Sequence, residues 1–223
     1  MNTLTKVYMV ILVLAFTSLS LYAQKKQVEK LQKSEEVVSD FLGMKENIPE
    51  QLLKKAEGIV IIPNLVKAGL GIGGQRGKGV AMVKNADGTW SDPVFVSLTS
   101  GTIGFQAGVE SIDLMMIFVK GTTLTSLSKG EFTLGGDVSI AAGPAGRSSS
   151  ATTDLKLDAE VYSYSRSRGL FAGLTLDGSR LAYDKGFNKG FYKADYSASS
   201  IFNKKPGSTQ PDVVSLKKAL KAF

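Results

Sequence analysis

The sequence predicts an α+β fold, mainly antiparallel β: a β-sandwich or barrel-like core with helices at the N- and C-terminal ends. Apolar residues recur at helical spacing near the two ends, over 25–44 and 212–223. Between 58 and 184 the pattern changes to short apolar runs and strict alternation, punctuated by Gly, Asn, Asp and Pro. The chain has 223 residues and no cysteine, enough to bury one sizeable core without disulfide support.

The first 23 residues read as a secretory signal peptide. Lys6 gives a positive start, Val7 to Leu21 an apolar stretch, and Ala23 a small residue before a cut at Gln24. That stretch is shorter than the roughly 20 residues of a comfortable membrane span. A periplasmic or secreted protein is therefore expected. Its charge falls from +7 to +6 on cleavage, because Lys6 is the only charged residue removed. A basic exported protein suits anionic lipid head groups or acidic polymers, though charge alone does not choose among them.

One domain is expected over 24–203, with a helical start at 25–56 and a β core at 58–184. In the first helix Val28, Leu31, Val38 and Leu42 form a stripe that Val37, Phe41 and Met44 widen. Pro49 suits the first turn of a second, short helix bearing Leu52, Leu53 and Ala56. "GIVIIP" reads as a buried strand ending at Pro63. "GKGVAMVK" and "TWSDPVFVSLT" flank the turn "NADG" as a hairpin. "TIGFQAGV" alternates, with Ile103, Phe105, Ala107 and Val109 on one face, and "DLMMIFV" is apolar throughout. "TTLTSLSKG" allows a helical turn or two, and "EFTLGGDVSIAAG" returns to strand. "TDLKLDAEVYSYSRS" reads as one long strand with Leu155, Leu157, Ala159 and Val161 inward. "LFAGLTLDG" follows, 186–203 is helical or mixed, and 204–211 is a linker. In the last helix, 212–223, Val213, Leu216, Leu220 and Phe223 align.

Several chemistries lose support. Without a single histidine or cysteine there is no Ser-His or Cys-His nucleophile and no His/Cys zinc site. A Ser–Lys pair or a carboxylate pair survives on residue types alone, but Asp158 and Glu160 read more simply as cross-strand partners of nearby arginines. No enzyme, cofactor or metal is expected. Gly69, Gly71 and Gly74 match G-x-G-x-x-G, yet a strand rather than a helix follows, so the glycines are read as conformational. No helix carries a basic recognition face, so nucleic acid is not expected as a partner. "AAGPAGRSSSATTD" offers turn amides beside Arg147 to an anion, or is a plain loop.

"YSYSRSRGLFAG" places Tyr162, Tyr164, Arg166 and Arg168 on one strand face. The row is either a recognition face for an anionic amphiphile or a face whose arginines pair with Asp158, Glu160 or Asp177.

Together "AEGIVIIP", "IPNLVKAGLGIGGQRGKGV", "DGTWSDPVFVSLTSGTIGFQAGVESIDL" and "AAGPAGRSSSATTDLKLDAEVYSYSRSRGLFAGLTLDGSRL" resemble a SYLF domain over residues 35–195. The positions that carry it include Lys67, Gly71, Gly73, Gln106, Gly108, Asp113, Gly143, Pro144, Gly146 and Arg147. "SYSRSRGLFAG", with Ser165, Arg166, Ser167, Arg168, Gly169 and Phe171, is the most specific part. The resemblance implies a non-catalytic protein. Eukaryotic members bind phosphoinositide-rich membranes and associate with actin, and exported bacterial members are described as lipid-binding. Lys67, Arg76, Lys78, Arg147, Tyr162, Tyr164, Arg166, Arg168 and Phe171 are the expected lipid-binding residues, and an anionic phospholipid or membrane surface the expected partner. The alternative is an envelope scaffold that binds protein. Export argues against actin as a partner.

Overall fold

The structure, a computed structural model, describes residues 25–44, 48–144, 158–167, 170–174, 176–203 and 208–223, with main chain alone at 70–72, 102–107 and 171–173. The leader expected at 1–23 lies outside them. Helix α1 spans 25–43 and α2 Glu50–Lys54. Two long strands follow, β1 (Gly58–Val83, 26 residues) and β2 (Val94–Phe118, 25 residues). Then come α3 (Gly121–Thr125), a 3-10 turn at Ser126–Lys129, β3 (Glu131–Thr133), β4 (Ile140–Ala142), β5 (Val161–Ser167), β6 (Leu170–Gly173) and β7 (Arg180–Tyr183). Helices α4 (Lys185–Tyr192), α5 (Ala198–Phe202) and α6 (Pro211–Ala219) complete the chain, with a closing 3-10 turn at Leu220–Ala222.

The seven strands among the described residues make one mostly antiparallel, curled sheet in the order β3-β7-β2-β5-β4, with β1 on the other edge of β2 and β6 on β5. The α+β class with terminal helices is as expected, and the curl realises the barrel-like alternative. The segmentation differs. "GIVIIP" and "GKGVAMVK" are the two ends of one strand, and "VFVSLT", "TIGFQAGV" and "DLMMIFV" are parts of another. Pro63 does not end β1. The register slips between Ile62 and Leu65. There Asn64 adopts a positive φ of 53°, and its N–H donates to Asp113 Oδ1 at 3.0 Å, so the proline sits in a bulge that needs no ladder donor.

A straight strand of this length would span about 80 Å. Yet Lys84, just past the end of β1, donates its N–H to the carbonyl of Glu57, just before its start, at 2.8 Å. The β1/β2 ribbon therefore doubles back on itself. The halves of β1 meet where a Cβ at Gly79 would lie 1.8 Å from the Ile61 carbonyl oxygen, and one at Gly77 would lie 2.6 Å from Ile62 Cγ2. Only glycine permits that approach. A conformational role for these glycines is what their sequence context suggests.

Both sheet faces are buried. Ile59, Ile61, Val80, Met82, Phe95, Met115 and Ile117 point to one core, under α1, α2, α4 and α6. Their neighbours Val60, Ile62, Ala81, Val94, Val96, Leu114 and Met116 point to the second, inside the curl and closed by α3 and α5. Strands buried on both sides read as continuous apolar runs, which is why these segments show no alternation. Val213, Leu216, Leu220 and Phe223 all enter the first core, as their alignment predicts. The hairpin turn at "NADG" also holds, with Gly88 at φ 79° and Asp87 accepting from the N–H and hydroxyl of Thr89.

"EFTLGGDVSIAAG" splits into β3, which pairs with β7, and β4, which runs parallel to β5. Strand β5 begins only at Val161, and 145–157 lie outside the described residues, with Leu155 and Leu157 among them.

Candidate functional site

Strand β5 takes its place between β2 on one side and β4 and β6 on the other, in the register Asp113–Arg166, Met115–Tyr164 and Ile117–Tyr162. Met115 and Ile117 face the first core, so the tyrosines opposite them must too. Tyr164 is 0% and Tyr162 5% exposed. Each hydroxyl has a main-chain partner: Tyr162 accepts from the Ala159 N–H at 3.1 Å, and Tyr164 donates to the Pro144 carbonyl at 3.1 Å. Burial, then the neighbouring Tyr162, pushes the Tyr164 phenol far above its ordinary pKa, so it stays protonated. The expected exposed tyrosine face is thus corrected: the row points inward.

Gly143 explains part of the "AAGPAG" segment. A Cβ there would lie 2.1 Å from Tyr164 Cζ, far closer than van der Waals contact with the ring allows. The Gly143 N–H also donates to the Ser163 carbonyl at 2.9 Å. Gly143 and Pro144 thus enclose one buried ring. Gly143→Ala should lower stability by about 1–3 kcal/mol, the range for overpacking a filled core, as read from the urea midpoint. Gly146 and Arg147 fall outside the described residues.

Arg166 ends the row at the rim of the core. Its Nη2 lies 2.5 Å from Asp40 Oδ2 on α1 and 2.8 Å from Asp113 Oδ2 on β2. Asp113 gives its other oxygen to the Asn64 N–H, so one carboxylate holds both the arginine and the β1 bulge. The partners expected from the sequence were Asp158, Glu160 and Asp177. Instead Glu160 binds Lys120 at 2.8 Å and the Thr123 hydroxyl, and these hydrogen bonds hold its carboxyl below the usual range. Arg166 is occupied, by residues distant in sequence.

Lys78 is occupied as well. Its ammonium lies 2.6 Å from Asp184 Oδ2 and 4.0 Å from the centroid of the Phe187 ring. Asp184 also caps α4 by accepting from the Phe187 N–H. Lys78 thus ties β1 to α4. Nearby Lys30 on α1 donates to the Pro63 carbonyl at 3.3 Å, and burial, followed by Lys33, holds its pKa below the ordinary lysine value.

Lys67 and Arg76 lie elsewhere, on the part of the ribbon that bends away from the sheet. Among the described residues neither forms an ion pair. Val66 (43% exposed) and Ala68 share one face of this segment with Val109, which pairs with Ala68 and is 78% exposed. The Ser167 hydroxyl bonds Glu110 at 2.5 Å, which brings the end of β5 to the same place, and Leu170, paired with Ser167, is 76% exposed. Arg168 lies outside the described residues, and Phe171 is placed by main chain alone, opposite Arg166.

The structure therefore gathers Lys67, Asp113, Ser167 and Leu170 at one end of the molecule, while Lys78 and the tyrosines serve the scaffold. Sequence reasoning missed Asp40 as a partner and Val109 and Leu170 as exposed apolar residues. The phase of "TIGFQAGV" placed Val109 on the apolar face, but nothing in that pattern says whether the face is covered. Among the described residues no helix is long and apolar enough to cross a membrane, and no group of three or more acidic side chains is placed to hold a metal.

Residues 99–223 match a family model described as "Las17-binding protein actin regulator", Ysc84. The chain is 35% identical over 187 residues to LAS seventeen-binding protein 3 of Saccharomyces cerevisiae, covering 82% of this chain and 40% of that one. It is 34% identical over 187 residues to Protein YSC84 of the same yeast, with the same coverage. Against SH3 domain-containing YSC84-like protein 1 of Bos taurus it is 33% identical over 183 residues, 82% of this chain and 53% of that one. The chain thus spans about half or less of the length of these relatives. Export as a ground for dismissing actin has no support here, since the family model itself is described as an actin regulator. With the matched segment covering β5, β6 and the ribbon's return strand, the chain belongs to the Ysc84, or SYLF, family.

Proposed function

We propose that this protein is a non-catalytic, exported lipid-binding member of its family that docks on anionic membrane surfaces through the bend of the β1/β2 ribbon and the start of β6 at Leu170. The observation that carries this reading is the exposure of Val109 and Leu170 near Lys67, at the end of the molecule that also holds the family positions Asp113 and Ser167. Large apolar side chains left mostly exposed on strands, with cations nearby, mark interaction sites. The apolar tips would enter the head-group layer, and Lys67 and Arg76 would supply attraction to anionic lipid. Residues 1–23 support export.

The test is co-sedimentation with phosphatidylcholine vesicles prepared with and without phosphatidylglycerol. Binding should require the anionic lipid and weaken as salt shortens the Debye length from about 10 Å at 0.1 M to about 3 Å at 1 M. Val109→Asp/Leu170→Asp should lose at least about tenfold in vesicle affinity, since about 1.4 kcal/mol of lost burial and added charge suffices. No preference for anionic vesicles, or full binding by the double variant, overturns the reading.

A second reading is favoured by the family description: a protein-docking module related to the Las17-binding proteins. Crosslinking in cells that captures one reproducible protein partner, with no lipid retained on purification, would favour it.

A further inference from the structure

The far end of the ribbon, where the hairpin closes, holds a cavity of about 620 Å³ between the "NADG" turn and α6. Its apolar lining is Trp90, Val214 and Phe223, joined by Lys217, Lys218 and Lys221 and by small serine and threonine residues. The geometry points to a binding site here for a single acyl chain ending in an anionic head, separate from the membrane-docking surface proposed above.

The scaffold is fixed before any ligand arrives. Trp90 Nε1–H donates to the Leu220 carbonyl at 3.0 Å, and its ring meets that of Phe223 edge-on at 6.5 Å. The Phe223 main-chain oxygen is already taken by the Lys84 ammonium at 2.7 Å. Lys217 is taken too, by Asp92 at 2.7 Å, and Asp92 is itself buried. Lys218 and Lys221 differ. Both are exposed, Lys218 near the end of α6 and Lys221 in the closing 3-10 turn, both line the cavity, and among the described residues neither has an ion pair. No carboxylate side chain lines the cavity.

Apolar walls with two uncommitted cations at the rim select an amphiphile: the tail meets Trp90, Phe223 and Val214, and the head meets the ammonium groups. The volume lies within the roughly 300–1,000 Å³ that encloses one small ligand. A cationic amphiphile of equal length would gain the same apolar burial but face two like charges.

Trp90 is the single tryptophan of the chain, so its emission reports occupancy directly. The full exported protein would be titrated with dodecanoate, dodecyl phosphate and dodecyltrimethylammonium, each below its micelle concentration. Expected is a saturable change in Trp90 emission with an anionic chain, at an affinity at least about tenfold above the cationic chain, the equivalent of one charge-assisted hydrogen bond. Preference for dodecanoate assigns a free acid, and preference for dodecyl phosphate a lipid-type phosphate head. Lys218→Glu/Lys221→Glu, two exposed positions that leave the core intact, should erase that preference. The proposal is overturned by no saturable change with either anion, by equal affinity for the cation, or by unaltered preference in the double variant. Val109→Asp/Leu170→Asp should leave this titration unchanged, so failure at this site and failure of the membrane reading remain distinguishable.

Discussion

Gly79→Val should abolish the folded state, and Gly79→Ala should come close. The Cβ that either residue adds would lie 1.8 Å from the Ile61 carbonyl oxygen and 2.8 Å from both the Ile61 carbonyl carbon and Ile62 Cα. All three are main-chain atoms of a strand whose neighbours fill both cores, so no rotamer change relieves the clash. Ordinary overpacking costs about 1–3 kcal/mol because side chains give way. Here the two halves of β1 would have to separate, opening the curl and exposing Ile62, Leu65 and Val96 of the second core. The expected loss exceeds about 5 kcal/mol, comparable to the whole stability of many domains. Insoluble expression, or no cooperative urea transition, is the result to look for. Gly101→Ala is the control, since nothing among the described residues lies within 4 Å of its Cβ position, and it should shift stability by no more than about 0.5 kcal/mol. A cooperative, near-native transition for Gly79→Ala would show that the halves of β1 do not meet there.

The same contact marks the limit of what the sequence reveals about the fold. Helices α1 and α6, the hairpin turn and the short helices after β2 follow from local periodicity and turn chemistry, and they appear where those signals place them. The doubling of the ribbon does not, because it joins Gly77 and Gly79 to Ile61, Ile62 and Leu65 across a strand with no local marker of its end. Pro63 looks like a stop until Asp113, 49 residues beyond Asn64, supplies an acceptor for the bulged Asn64 N–H.

The site shows a sharper version of that limit. Strict alternation in "YSYSRS" correctly puts Tyr162, Tyr164 and Arg166 on one face. Period two fixes which residues share a face and leaves the choice of inner or outer face open. That choice is made by β2, whose Met115 and Ile117 commit the row to the core under α1, and by the main-chain partners that make two buried hydroxyls tolerable. Val109 presents the converse case. The alternation groups its side as apolar, but among the described residues no element covers Val109, and an apolar residue left in water is informative only once that is known.

Arg166→Ala should destabilise the protein by about 2–3 kcal/mol, below the roughly 3–5 kcal/mol of a fully buried broken pair because a quarter of the side chain is exposed. The two acidic partners will not share the loss equally. Asp113 is the less exposed, and it also receives the Asn64 N–H, so removing the arginine leaves a carboxylate still tied to the bulge but without its countercharge. Asp113→Asn should therefore cost more than Asp40→Asn, whose side chain is 44% exposed. A double-mutant cycle between Arg166 and Asp113, read from urea midpoints, should return a coupling of about 1–2 kcal/mol, with less between Arg166 and Asp40. The functional consequence separates the two readings of the arginine row. As a tie between α1 and β2, Arg166 leaves anionic-vesicle binding in the folded fraction of Arg166→Ala within about twofold of the parent, because the docking tips at Val109 and Leu170 are untouched. A folded Arg166→Ala protein that no longer binds anionic vesicles would mean that lipid phosphate competes with Asp40 and Asp113 for the guanidinium, and that this pairing opens when the protein meets a membrane.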